Sequence, residues 1–264
     1  EGLPGDARHA MGEAHRSDES GPATRSTAED REHEDQEQVA SAPSLKQDTL
    51  LVFDWDDTVL PTSWLLRVRA LSADVPMRPD VQKQVSALAL VALQTLNMAQ
   101  TLGTVIIITN SAPGWVDQSC QLFMPQLLPH VRSMHIAAKP LNAPLTFKIN
   151  AFRRECKQFK NLVSIGDGDA ERVASLRLQG ADARSRLPPA AGGEDLQGPG
   201  MWIKSVKLID LPTCQQLISQ HGMLQVRLRD VTAFQGALDL KARAGPAAAP
   251  GAQPPFSLVH FGRA

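Results

Sequence analysis

Three carboxylates, Asp54, Asp56 and Asp57, and the hydroxyl of Thr58 follow directly on the apolar run TLLVF at 49–53. Carboxylates so close together repel, and each resists losing its water. An Asp-rich turn accounts for the acids, since Asp tolerates turn geometry, but not for their place at the end of an apolar strand. A calcium loop of the EF-hand type needs Asp or Asn at its fifth position and then Gly; Thr58 and Val59 stand there instead. A divalent cation with a phosphate resolves the conflict better. Mg2+ prefers carboxylate and phosphate oxygens. It would neutralise the cluster, leave one Asp to attack phosphorus, and leave another, two residues on, to handle the proton. In an extended strand residues i and i+2 face the same side, so Asp54 and Asp56 can meet one ligand while Trp55 turns into packing.

The elements that must position these residues can be read from the apolar pattern. Strand-like runs recur at 49–53, 104–109, 134–138, 161–165 and 206–210, several of them continuously apolar, as in strands covered on both faces. A helix lies between the first two, with Asp80 as its expected N-cap. Val81, Val85, Leu88, Ala92 and Leu96 share its apolar face, and Gly103 ends it. Further helices are expected from Pro113 and around 146–158, 170–179 and 212–221. Alternating strands and helices imply an α/β fold, Rossmann-like and doubly wound, with a mainly parallel sheet. Ligands gather at the carboxyl ends of such strands, where the acids of 54–57 fall.

The pattern resembles the haloacid dehalogenase superfamily. DWDDT resembles its first motif, DxDxT. Thr109-Asn110 after the second strand, Lys148 at a helix start, and SIGDGDAE (164–171) after the fourth strand resemble its other three motifs in order. FDWDDTVLPTSW, TNSAPGW and SIGDGDAER together look like a protist-type branch of that superfamily. The resemblance implies that Asp54 is a nucleophile forming an aspartyl-phosphate, and that Asp56 is its general acid and base. It also implies that Thr109 and Lys148 stabilise the phosphoryl group, with Asn110 available to it. Asp54, the backbone carbonyl of Asp56, and Asp167 would bind Mg2+. Glu171 would orient the lysine or a metal-bound water. Lys139 rivals Lys148, and Asp169 rivals Glu171. Asp57 belongs to the flap after the strand and need not touch substrate. Asn110 could instead close the turn; Trp64 and Trp115 could shape the pocket mouth, with core packing the expected role of both.

An acid at Asp56 implies a phosphatase or phosphomutase, since family dehalogenases lack it. The leading expectation is a Mg2+-dependent phosphatase acting on a phosphomonoester. The alternatives are a phosphomutase and a non-catalytic phosphate-binding module. Neither the interval 59–103 nor 111–147 has spare length for a large cap. An open site suits a bulky substrate, such as a phosphorylated protein or a nucleic-acid end, or a small molecule if a partner or the 61–79 loop covers it.

Composition bounds the rest. The chain has 264 residues, 42% hydrophobic, 5% aromatic and without Tyr, so its core is mainly aliphatic. Residues 1–48 hold 12 acids against 5 bases, and the remainder 16 against 22. The segment 1–46 reads as a disordered acidic tail, 47–240 as the catalytic domain with a flexible loop at 185–200, and 241–264 as a low-complexity tail. The body is too weakly basic and too poor in aromatics to argue for a nucleic-acid surface. No apolar run is expected to span a membrane. Three widely spaced cysteines suit a reducing compartment such as the cytoplasm. The first residue is Glu rather than Met, so the lack of a signal peptide says little.

Overall fold

Five consecutive buried residues make up β1 (Thr49–Phe53), and a strand can bury both faces only between two other layers. The computed structural model describes residues 46–71, 76–184, 200–246 and 255–261. The expected acidic tail, the core of the 185–200 loop and the Pro/Ala-rich stretch near 250 lie outside these residues. Beside β1 run β2 (Thr104–Thr109), β3 (His135–Ala138), β4 (Asn161–Gly166), β5 (Trp202–Lys207), β6 (Leu238–Ala244) and β7 (Phe256–His260). The sheet order is β3-β2-β1-β4-β5-β6-β7. The first six strands are parallel, and β7 returns antiparallel to β6.

The helices are α1 (Thr62–Arg67), α2 (Pro79–Leu102), α3 (Trp115–Phe123), α4 (Leu128–Arg132), α5 (Phe147–Glu155), α6 (Asp169–Arg184) and α7 (Cys214–Ala233). The period-2 alternation of the strands separates two cores. Leu51, Phe53, Ile107, Val163 and Ile165 point to the layer of α2, α3 and α7. Leu50, Val52, Ile106, Ile108 and Leu162 point to α5 and α6. The described residues thus form an α/β fold with a seven-stranded, mostly parallel sheet, consistent with a Rossmann-like arrangement.

Several expectations are corrected. β5 begins four residues earlier than expected, because WIKSVK buries a lysine. Lys204 is fully buried, and its ammonium donates to Asn161 Oδ1 and to Thr232 O. A boundary near residue 240 cuts through β6, and β7 lies inside the expected low-complexity tail. Alternating apolar and charged residues (LDLKARA) suit a strand near the sheet edge and mimic a solvated segment. α2 is capped by Arg78 with Pro79 in the first helical position, leaving Asp80 inside the first turn, where its charge favours the helix dipole. α3 starts at Trp115 after Gly114, whose φ of 88° is open to glycine. α7 runs twelve residues past its expected end, secured at its start by a capping box between Thr213 and Gln216. α2 is also long and apolar enough, by length and composition, to cross a bilayer, with a mean hydropathy of 1.3. Its Val81, Val85, Leu88, Ala92, Leu96 and Ala99 are buried in the core.

Gly103 closes α2 against the start of β1. A Cβ there would lie 2.5 Å from Thr49 O, a backbone atom. Gly103→Ala should therefore destabilise the chain by about 1–3 kcal/mol through overpacking, read as a lowered urea midpoint with an unchanged slope; a shift within 0.3 kcal/mol (about the scatter of surface substitutions) would contradict the close approach.

Candidate functional site

Beyond Phe53 the chain makes one more sheet contact, from Asp54 N to Ile165 O at 2.9 Å, and then turns. The amides of Val59 and Leu60 fold back onto Trp55 O at 2.9 and 3.0 Å. Trp55 is fully buried and anchors the turn, its indole N–H donating to Ser119 Oγ at 2.9 Å. Asp57 takes a positive φ of 54°, a conformation Asp accepts better than most side chains. Its Oδ1 accepts from Ser63 N at 2.8 Å in the first turn of α1. Burial, the largest influence, raises the Asp57 carboxyl above its ordinary range.

The turn sends the three carboxylates to different partners. The Asp56 carboxylate accepts from Thr62 Oγ1, Ser111 Oγ and, at 2.9 Å, Trp115 Nε1. Asp54 enters a buried cluster. Lys148, from the first turn of α5, places Nζ 3.1 Å from Asp54 Oδ1 and also pairs with Glu171 Oε1. Lys148 is 3% exposed and Glu171 4%, so water does little to screen them. Asp167, after β4, completes the group. Ligand oxygens of Asp54, Asp167 and Glu171 lie within 4.8 Å of one another.

One ammonium thus pairs with two of the three clustered carboxylates. Burial drives the Asp54 carboxyl well up; Lys148 opposes this and Glu171 adds to it. Asp167 is pushed up to about 7, first by burial and then by Glu171 and Asp57. Burial works to lower Lys148, but Asp54 and Glu171 outweigh it and hold the ammonium above the ordinary lysine range. Glu171 Oε2 is buried with no hydrogen-bond partner, and Asp54 Oδ1 has only its ion pair. Unsatisfied, electron-rich oxygens of this kind fit a hard divalent cation, which carboxylates ligate well.

Glycine makes room for the arrangement. A Cβ on Gly166 would sit 2.5 Å from Glu171 Cγ, so the acid passes over that residue only while it is glycine. Thr58 ties the first turn to the fourth strand: its Oγ1 accepts from Asp167 N at 3.1 Å. Lys207 donates to Asp167 O and pairs with Asp210 at 2.7 Å. His221 of α7 is buried, and its Nε2 lies 3.0 Å from Thr58 O. A carbonyl only accepts, so Nε2 carries the proton and donates.

Of the residues singled out by sequence, Asp54, Lys148, Asp167 and Glu171 come together. Lys148, not Lys139, reaches Asp54. Lys139 is half-buried at the end of β3, and Asp169 is exposed at the start of α6. The Asp56 carboxylate stands outside the Asp54–Asp167–Glu171 group. Thr109 is buried at the end of β2, its Oγ1 accepting from Ser111 N at 3.0 Å, and Asn110 is exposed. Trp64 is buried in the core as expected. Trp115 is half-buried and bonded to Asp56, so its role extends beyond packing. Thr62, Ser111, Lys207 and His221 were not anticipated. Ser111 stands beside Thr109-Asn110 and could have been weighed with them; His221 carries no local signal.

No family model matches this chain, and no curated protein or solved structure matches it either.

Burial holds His221 neutral, lowering its imidazole to about 4, against about 6.5 in an unfolded chain. A folded value below the unfolded one means that the unfolded chain binds the extra proton first. Stability is therefore full above pH 6.5 and is lost as pH falls toward 4. His221→Gln keeps a donor near Thr58 O and removes the titration. Between pH 7 and 4.5 wild type should lose roughly 2–3 kcal/mol relative to this variant, measured by denaturant unfolding at each pH. Parallel pH curves for the two proteins would refute a buried neutral imidazole.

Proposed function

We propose that this chain is a Mg2+-dependent phosphatase of the haloacid dehalogenase type, hydrolysing a phosphomonoester through an aspartyl-phosphate on Asp54. The observation that carries the proposal is the buried lysine–carboxylate cluster at the carboxyl ends of β1 and β4, in which Lys148 Nζ lies 3.1 Å from Asp54 Oδ1. The ordered sequence motifs supply the same residues.

Asp54, Asp167 and Glu171 would hold the metal, with the backbone carbonyl of Asp56 as a further ligand. When bound, Mg2+ would neutralise charge on the phosphate and the carboxylates. The side chains then divide the work. An Asp54 carboxylate oxygen bonds to phosphorus, and the bond to the leaving oxygen breaks. Asp56 gives that oxygen its proton, then takes a proton from the water that attacks phosphorus in the second step. The Asp54 oxygen–phosphorus bond breaks, inorganic phosphate leaves, and the carboxylate is restored. Thr62, Ser111 and Trp115 fix the Asp56 carboxylate for both transfers. Thr109 Oγ1 already accepts from Ser111 N, which leaves its own O–H to donate to a phosphoryl oxygen. Lys148 offsets charge on nucleophile and phosphate in a site with little water to weaken it.

Hydrolysis of a generic aryl phosphate tests the proposal. Turnover should require Mg2+. Asp54→Asn should be inert yet folded, and Asp56→Asn should lose about 10²–10⁴-fold in kcat. Calorimetric titration with Mg2+ gives a second readout: Asp167→Asn should weaken binding by roughly 10-fold or more. Wild-type turnover in the Asp54→Asn protein would remove the nucleophile, and with it the proposal.

A further inference from the structure

The first six strands run parallel, so the loops following β1, β3 and β5 emerge at the same edge of the sheet as the cluster. These loops carry leucines that the fold does not bury. Leu141 and Leu145, between β3 and α5, are 91% and 96% exposed. Leu66 on α1 and Leu211 after β5 are 59% and 61% exposed. Single exposed leucines are ordinary, but these four all lie in the connections that leave the carboxyl ends of β1, β3 and β5, the edge that carries the cluster. Leu211 is also held at a positive φ of 49°, an unfavourable conformation for a leucine. Arg67 fixes it there, donating to Leu211 O at 3.2 Å and to Pro212 O at 3.0 Å. Exposure and backbone strain at one residue give the folded chain nothing by themselves; such outliers collect at sites of recognition.

We infer that this rim recognises a phosphorylated protein segment in extended form, with apolar side chains on both sides of the phosphorylated residue. The inference rests on the phosphatase reading and names its substrate class. Whatever covers the leucines arrives attached to the phosphate held at β1 and β4. The order β3-β2-β1-β4-β5 puts two strand spacings between β1 and each leucine-bearing flank, or about 10 Å to either side. A small metabolite cannot reach both flanks. An extended peptide rises about 3.3 Å per residue and alternates its side chains between two faces, so those two to four positions before and after the phosphorylated residue on its own face, about 7–13 Å away, would meet them. The four rim residues are aliphatic, which suits apolar side chains better than nucleic-acid bases, since bases stack on aromatics. Among the described residues no separate cap covers the edge: 59–71 and 76–103 hold α1 and α2, and 111–147 holds α3, α4 and β3.

The test compares kcat/KM for a phosphoserine undecapeptide with Leu four positions to each side, the same peptide with Ser there, an aryl phosphate, a 5′-phosphorylated oligonucleotide and a single-chain lipid phosphate. Each leucine should contribute about tenfold, giving the Leu peptide about a hundredfold advantage over the Ser peptide, mainly in KM. In the double variant Leu141→Ser, Leu145→Ser, that advantage should shrink by about tenfold. Both positions are exposed, so folding is spared. Equal rates on the two peptides, or a preference for the oligonucleotide or the lipid, with aryl phosphate still hydrolysed, would overturn this inference and leave the phosphatase reading standing. No turnover of any compound with Mg2+ would overturn both.

Discussion

Three acidic side chains share a buried space with one lysine, and much of the site's architecture answers that imbalance. Bringing Asp54, Asp167 and Glu171 within 4.8 Å costs repulsion and lost hydration. Lys148 relieves part of it at Asp54, and burial first, then the neighbouring carboxylates, leaves Asp54 and Asp167 shifted upward. A polar cluster serving stability alone would be better satisfied, because buried polar groups in folded proteins usually have partners. The bare Glu171 Oε2 and the incompletely satisfied Asp54 Oδ1 depart from that pattern.

The fold accommodates that tension by rigidity on every side. Asp54 is pinned by a sheet hydrogen bond to Ile165, the next residue is locked into the core by the Trp55–Ser119 bond, and Asp57 fastens the start of α1. Lys148 and Glu171 come from α5 and α6, which pack on the opposite face from Trp55. The two helical layers therefore reach the same strand ends from both sides. Thr58 bridges to Asp167, and His221 supports Thr58 from α7, so the site is braced by elements more than 160 residues apart in sequence.

What could be read from sequence was whatever has a local signature. Apolar runs located β1 through β4, and the acids at the end of β1 stood out as a charge conflict that a cation would resolve. Asp54, Lys148, Asp167 and Glu171 were all named from motif spacing, and they converge. The misses follow from side chains whose burial depends on distant partners. Lys204 hid the start of β5, because its partners Asn161 and Thr232 come from β4 and α7. β6 ran past the expected boundary near 240 because its alternating apolar and charged residues mimic a solvated segment, and β7 was assigned to the low-complexity tail beyond it. Trp115 was read by its bulk, while its N–H reaches Asp56.

Two buried lysines show how partner charge, rather than burial, decides what such a residue can do. Lys204 lies near the start of the strands, donates to an amide oxygen and a carbonyl and faces the Trp202 ring, all of them neutral. Desolvation prevails there, and its ammonium drops to about 8. Lys148, at the other end of the sheet, is almost as deeply buried, yet two carboxylates reverse the outcome and raise it. A cation that must face a charged ligand throughout a reaction has to stay charged near neutral pH. The second setting secures that charge with the wider margin, and the acids that do so are the ones whose oxygens could hold a metal ion. The lysine and the carboxylates thus form one electrostatic unit: removing either side would discharge or strand the other.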